Sequence, residues 1–423
     1  MKKILIITPH FPPSNLAAVH RSRLFAQYLP KFGWQPIILT VHEKFYEEKL
    51  DWNLCKLLPE DLIINKVNAF SVTKPRLLGD IGLRSFFQLY KKAKQLIKEN
   101  KINFLYIPIP SFYIALLGRW LHHSTGVKYG IDYIDPWVHN FPGSNKIFSR
   151  HWFSKILSKM LEPIAVKKAV LITGVAEGYY KGVITRNPHL LQQALFAAMP
   201  YGGEEKDHVM VKALQLKSYL FVKKPGIIQL IYAGAMLPKA YEPLKNIFNV
   251  ISSHPEFFSK IEIHFIGTGK SCNDSEGYNI KPIAIEYGLW QNIIYEYPAR
   301  IPYLDVLAHL NEATGVFILG STEPHYTPSK VYQAVLSQKP IVAVLHTASS
   351  ACEVIRQSGA GMVLDFDGEK DIAKIAEKFL DFFASFLIFI HEFNPNKVNH
   401  SLFEKYSANS VTEILVNKLN KLV

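Results

Sequence analysis

One stretch of this chain gathers the residue types that handle anions. Gly320-Ser-Thr-Glu-Pro-His-Tyr-Thr-Pro-Ser-Lys330 places Glu323, His325, Ser329 and Lys330 in one short polar run. An apolar strand over 315–319 leads into it. A helix carrying Gln333 leads out of it, and a second strand over 341–344 follows. Pro328 suits the first turn of a helix, where its missing N–H is not needed. The amides of Ser329, Lys330 and Val331 are then expected to point out of the helix N-terminus. That is a site for phosphate, and Lys330 adds positive charge. In an open parallel sheet such a loop lies beyond the carboxyl ends of the strands, where ligands bind.

Three other places carry polar groups at strand ends. After the first strand come His10, Ser14, Asn15, Arg21 and Arg23, with Ala17 and Ala18 small enough to admit a ligand to the backbone. Each arginine is read either as meeting an anion or as facing solvent from a helix. A later strand, 128–133, runs out into Asp132, Asp135, Trp137 and His139, with Pro136 ending the extended run. Asp132 is read as a partner for backbone N–H groups, and Asp135 as a turn cap or a site residue. In the second half, Gly234 and Gly267 each follow an apolar strand, and Lys239 lies just beyond the first of them.

These groups need strands and helices to hold them. The chain opens as strand (3–8), helix (to 29, ending at Gly33) and strand (35–41), a βαβ unit that implies a parallel α/β sheet. The turn lacks G-x-G-x-x-G, which argues against a dinucleotide site. Residues 45–85 read as polar and irregular. Further strands are expected at 104–109, 170–175 and 196–200. Residues 204–226 are charged, contain Pro225-Gly226 and read as a linker. Strands restart at 227–234, 261–266 and 293–297, and the last is expected at 359–364. The expected domains are 1–203 and 227–395, with a helical tail over 396–423.

The 423 residues carry 48 Lys and Arg against 35 Asp and Glu, a net charge of +13. The lysines are scattered and form no recognised nucleic-acid motif, so no nucleic-acid partner is expected. A phosphorylated ligand or a membrane surface fits the charge better. Three far-spaced cysteines form no metal spacing and read as reduced thiols of a cytosolic protein. The apolar run 4–7 is too short for a signal peptide. No apolar run reaches the roughly 20 residues of a membrane span. The longest, Leu380 to Ile390, reads as a buried helix or as an interfacial membrane contact.

Six short motifs occur in one order: Phe11-Pro-Pro13, Ile131-Asp-Tyr-Ile-Asp-Pro-Trp137, Pro200-Tyr-Gly-Gly-Glu204, Tyr232-Ala-Gly234 with Lys239, Ile266-Gly-Thr-Gly269, and Pro328-Ser-Lys330 with Lys339-Pro340. Together they resemble glycosyltransferase family 4, of the GT-B fold. The resemblance implies an α/β chain of two Rossmann-like domains facing across a cleft. It implies sugar transfer with retention from a UDP- or GDP-linked donor, with no essential metal and no further cofactor. The acceptor would be a glycan or a lipid-linked glycan in cell-envelope polysaccharide or glycoconjugate synthesis. The expected location is the cytoplasm, with peripheral contact at the inner face of a membrane.

On residues, the resemblance puts the donor diphosphate near Gly234, Gly267, Lys239, Ser329 and Lys330. Gln333 falls where the family usually has a glutamate for the ribose, and His325 where it has one for the sugar. Glu323 is a nearby substitute, and Arg300 is a candidate for a basic group missing after Gly234. Lys239 and Asp135 are the expected catalytic groups. His10, Ser14, Asn15, Arg21 and His139 form the expected acceptor side. Two alternatives stand: a nucleotide-sugar epimerase with carboxylate and histidine acid/base groups, and a non-catalytic sugar-binding subunit, to which Gln333 and His325 point.

Overall fold

The computed structural model describes residues 1–72, 79–109, 111–138, 146–271 and 274–423. The chain divides into two compact units. One comprises Met1–Tyr201 with Ala408–Val423, and the other Gly202–Ser407.

The first unit is built on a seven-stranded sheet in the order β3-β2-β1-β4-β5-β6-β7. Its strands are β1 (Lys2–Ile7), β2 (Trp34–Val41), β3 (Ile63–Val67), β4 (Phe104–Pro108), β5 (Lys128–Tyr133), β6 (Leu171–Gly174) and β7 (Leu195–Ala198). Every neighbouring pair is parallel. Helices cover both faces, which is why strands such as β1 are continuous apolar runs rather than alternating ones. Leu5 and Ile7 enter one core with Leu105, Ile107 and Leu117. Ile4 and Ile6 enter the other with Phe104, Leu415 and Leu419. That second core accounts for the end of the chain. The Ala408–Leu422 helix buries Val411, Leu415 and Leu419, one face at intervals of four, against the first sheet.

The second unit has a six-stranded sheet in the order β10-β9-β8-β11-β12-β13. Its strands are β8 (Ile228–Ala233), β9 (Ile261–Ile266), β10 (Ile294–Tyr297), β11 (Gly315–Leu319), β12 (Ile341–His346) and β13 (Gly361–Phe366), again all parallel. The run 380–390 lies within the Ala373–Glu392 helix, which turns Phe379, Phe383 and Phe386 into the core of this unit. Among the described residues, no helix is long and apolar enough to cross a membrane.

Three expectations about organisation are changed. Residues 45–85 contain an edge strand, β3, whose partly exposed residues lack the apolar signal of a buried strand. Residues 204–226 contain the Glu205–Ala213 helix, which belongs to the second unit. It is capped by the Glu204 side chain, buries Val211, and places Asp207 2.7 Å from the Tyr303 hydroxyl. Residues 396–423 are shared between the units, the change falling at Ser407.

In each sheet the strand order reverses once, between β1 and β4 and between β8 and β11. Chain leaving the two strands at such a point diverges to opposite faces and opens a crevice at their carboxyl ends.

Candidate functional site

In the first unit, that crevice is a pocket of about 130 Å³ lined by Thr8, His10, Leu16, Ala18, Asp80 and Ser111. His10 is fixed there by the turn Phe11-Pro12-Pro13, in which the Pro12–Pro13 peptide is cis. Its Nδ1 lies 3.0 Å from Glu48 Oε1, and the buried Ser14 hydroxyl donates to the same oxygen. Burial alone would raise the Glu48 carboxyl. The hydrogen bonds and charge from His10, with the Ser14 hydroxyl, instead hold it down at about 2. An ionised Glu48 orients His10. Asn15 is half-buried on the same loop. Across the pocket, Ser111 Oγ donates to both oxygens of Asp80, at 2.7 and 2.8 Å.

Arg21 is not at this surface. Its guanidinium is buried and grips Asp132 through two hydrogen bonds of 2.7 and 2.9 Å. Its Nη1 donates to the carbonyls of Met199 and Pro200. Asp132 also accepts from Thr173 Oγ1 at 2.7 Å, and Thr173 meets the Tyr106 hydroxyl at 2.8 Å. Burial works against the Arg21 charge, but the adjacent carboxylate more than offsets it and holds the group protonated. Neither the anion-binding nor the solvent-facing reading of Arg21 describes this arrangement, and Asp132 serves side chains rather than backbone N–H groups. The network ties the first helix to β4, β5 and β6. Arg23 is buried as well. Asp135, by contrast, has an exposed side chain. Desolvation by the surrounding protein pushes its carboxyl up, to about 6. His139 lies outside the described residues.

In the second unit the crevice is lined by glycine turns. Gly234, after β8, has φ +105°, and Gly267, after β9, has φ +72°. A Cβ on Gly267 would come within 3.9 Å of the Gly234 backbone and 3.8 Å of Arg300 Cα. A Cβ on Gly234 would meet a side chain instead, Nζ of Lys330, at 3.7 Å. The Lys330 stem reaches the surface, while its Nζ is enclosed and has no hydrogen-bond partner among the described residues. Nζ sits 3.5 Å from the centre of the Tyr232 ring. Burial pushes this amine down to about 7.

The helix behind Lys330 departs from expectation. It runs only from Lys330 to Leu336, and the Val331 N–H turns back onto the Pro328 carbonyl at 3.1 Å. The amide of Val331 is therefore engaged within the turn, and the positive charge at this point comes from the lysine. Gln333 is also engaged: its Oε1 lies 2.9 Å from Nε2 of His208, whose other nitrogen faces Asn311 at 3.3 Å. Burial lowers the His208 pKa, so the ring is neutral near pH 7 and offers one N–H.

Lys239 is half exposed, 3.5 Å from the exposed Glu369, and its carbonyl accepts from Thr322 N–H at 3.2 Å. An exposed pair of that kind is weak, which leaves Lys239 available to a stronger anion. Glu323 and Ser329 are half-buried on the same loop. His325 is pushed down, mainly by burial, with Glu323 and Lys239 acting in opposite directions. Among the described residues, no group of three or more His, Cys, Asp or Glu side chains is placed to hold a metal.

Glu48, Asp80, Ser111, Tyr232 and His208 have no assigned role in the sequence reading. Glu48 and Asp80 meet partners more than thirty residues away, and no local spacing signals such a pairing.

Two Rossmann-like sheets of seven and six parallel strands in one chain are the GT-B fold. Solved structures of that fold align over the full length. A glycosyltransferase from Rickettsia africae matches at 15% identity and TM-score 0.60, covering 99% of this chain and 98% of its own. Sucrose-phosphate synthase from Thermosynechococcus elongatus matches at 11% identity and TM-score 0.65, covering 100% and 99%. The Anabaena protein HepE, solved in complex with UDP and glucose, matches at 12% identity and TM-score 0.63, covering 100% of both chains. No family model and no curated protein sequence matches this chain.

Proposed function

We propose that this protein is a glycosyltransferase that uses a nucleoside-diphosphate sugar as donor. The observation that carries this reading is Lys330 Nζ, an enclosed amine with no hydrogen-bond partner among the described residues, beside Gly234 at the switch point of the second sheet. An unpaired buried ammonium is costly, and a diphosphate is the ligand that would relieve that cost. Gly234 has no side chain to obstruct it. Lys239 adds a second cation nearby. The complexes of HepE with UDP-glucose and with UDP and glucose, on the same fold, support the donor class.

The chemistry asked of the protein is modest. The bond between the sugar's anomeric carbon and the diphosphate oxygen breaks, and a bond to an acceptor oxygen forms. The diphosphate leaves with the bonding electrons, and Lys330 and Lys239 stabilise that charge in place. The acceptor oxygen bonds to the anomeric carbon on the face the diphosphate leaves, which gives retention, and its proton passes to a phosphate oxygen on that face. No metal is needed in this scheme. The acceptor, a glycan or lipid-linked glycan, is assigned to the pocket of the first unit, with His10, Ser14 and Asn15 beside it. Asp135 is a candidate to orient the reacting hydroxyl. Arg21 is left out of this assignment because it is buried and four of its five N–H donors are already used.

A binding-only reading has one observation in its favour: Gln333 and His325 stand where the family usually has glutamates, and Gln333 is tied to His208.

The test is a thermal-shift series with UDP, GDP, ADP and their sugars on wild type, Lys330→Met and Lys239→Ala. One nucleotide class should raise the unfolding temperature by mass action. Lys330→Met should weaken it by about 1.5–3 kcal/mol, roughly tenfold to a hundredfold. No shift with any nucleotide at millimolar concentration removes the donor reading. Binding without hydrolysis or transfer to any acceptor favours the binding-only reading.

A further inference from the structure

The Arg150–Val166 helix of the first unit carries an apolar face toward solvent. Its inward face holds Ser158, Glu162, Ala165 and Val166, all buried. Glu162 is satisfied there by Arg186, with hydrogen bonds of 2.7 and 2.8 Å, and by Asn187. The outward face holds Phe153, Ile156, Leu157, Met160 and Ile164, each between 38% and 65% exposed. Steps of three, one, three and four residues put these five on one stripe, about 100° wide. The chain leading into the helix extends the stripe with Ile147 and Phe148, 68% and 77% exposed. Phe148 packs on Trp152 and Phe153, with ring centres at 5.6 and 6.3 Å. A run of this size is the mark of an interaction surface rather than of scattered surface hydrophobics.

The solvent-facing charges along this segment are all of one sign. Between Lys146 and Lys168 the sole acidic residue is Glu162, and it faces inward. Lys146, Lys159, Lys167 and Lys168 are exposed, whereas Lys155 is half-buried on the far side of the helix from the stripe. A second copy of this chain seated on the stripe would set these lysines against their own counterparts, which disfavours association. An anionic bilayer satisfies both features. Its acyl boundary takes the apolar stripe, and its headgroups take the lysines.

We propose that this helix is a docking surface for a membrane containing anionic lipid, with the Phe153–Ile164 stripe inserted in the plane of the interface and the lysines at headgroup level. The surface lies wholly within the first unit and does not depend on the donor reading.

The test is co-sedimentation of the full chain with vesicles of phosphatidylcholine alone and of phosphatidylcholine mixed with phosphatidylglycerol. The chain should sediment with the anionic vesicles, and salt should release it. Lys159→Gln with Lys167→Gln should lower partitioning roughly thirtyfold. Ile156→Gln with Met160→Gln should lower it by roughly tenfold or more, with every charge kept. These positions lie at the surface, so the unfolding temperature should stay at the wild-type value, which separates lost docking from lost folding. Equal binding to both vesicle types, or binding that neither double variant weakens, overturns the proposal. So does a chain that ignores vesicles but forms a dimer that Met160→Gln abolishes.

Discussion

Arg21 in the first unit and Lys330 in the second both carry a buried positive group near the carboxyl ends of strands, and the two are treated in opposite ways. Arg21 in the first unit has a bidentate carboxylate and two carbonyls. Lys330 in the second has an aromatic ring and no hydrogen bond among the described residues. Burial is common to both, so burial does not separate a structural charge from a functional one. Completion of the hydrogen-bonding set does. A guanidinium whose donors are used holds a helix onto a sheet. An ammonium enclosed without an acceptor is the feature on which the proposed donor site rests.

The comparison breaks most sharply at Asp132. Asp132→Asn leaves the Arg21 charge buried without its counter-ion, and should cost about 3–5 kcal/mol, read by denaturant unfolding. Glu48→Gln comes next, at about 1.5–3 kcal/mol, because two charge-assisted contacts are lost. The Glu48 carboxyl lies at about 2 in the fold against an ordinary 4.5. Its stabilisation is therefore full above about 4.5 and lost as pH falls toward 2. The variant should lack that part of the acid limb. Gly234→Ala should cost about 1–3 kcal/mol from the positive φ and should also weaken nucleotide binding, read by thermal shift.

The smallest effect carries the opposite sign. Lys330→Met removes an unpaired buried ammonium, so stability should stay level or rise while nucleotide affinity falls. Lys330 lies at about 7 in the fold against 10.5 unfolded. The unfolded chain thus holds more protons over that window, and wild-type stability should climb as pH rises from about 7. The climb should be absent in Lys330→Met, when measured below the range in which tyrosines titrate. A destabilised Lys330→Met with unchanged nucleotide binding would place Lys330 with Arg21, as a structural cation.

Most of the fold was legible because buried parallel strands write themselves as apolar runs. Lys3 to Ile7, Phe104 to Ile107 and Ile341 to Val344 have no other economical reading. β3 escaped because an edge strand with exposed residues lacks that run. The Glu205–Ala213 helix escaped because it is short and heavily charged. The site divided in the same way. Gly234, Gly267 and Lys330 stood out through local turn chemistry, each next to a strand that ends. Arg21 looked like a ligand contact because a sequence shows the charge and not its partner, Asp132, 111 residues away.

The sequence alone determined two parallel α/β units, the glycine turns at their strand ends and an excess of positive charge, since each depends on residue type and short spacing. The tertiary structure decided which charges are spent. Pairing of Arg21 with Asp132, of His10 with Glu48 and of Gln333 with His208 brings together residues 111, 38 and 125 positions apart. It also turned the Arg150–Val166 helix so that its apolar stripe faces solvent, because Glu162 finds its counter-ion on the inward side. Periodicity reveals that a helix has two faces; only packing against its neighbours selects the one that is buried.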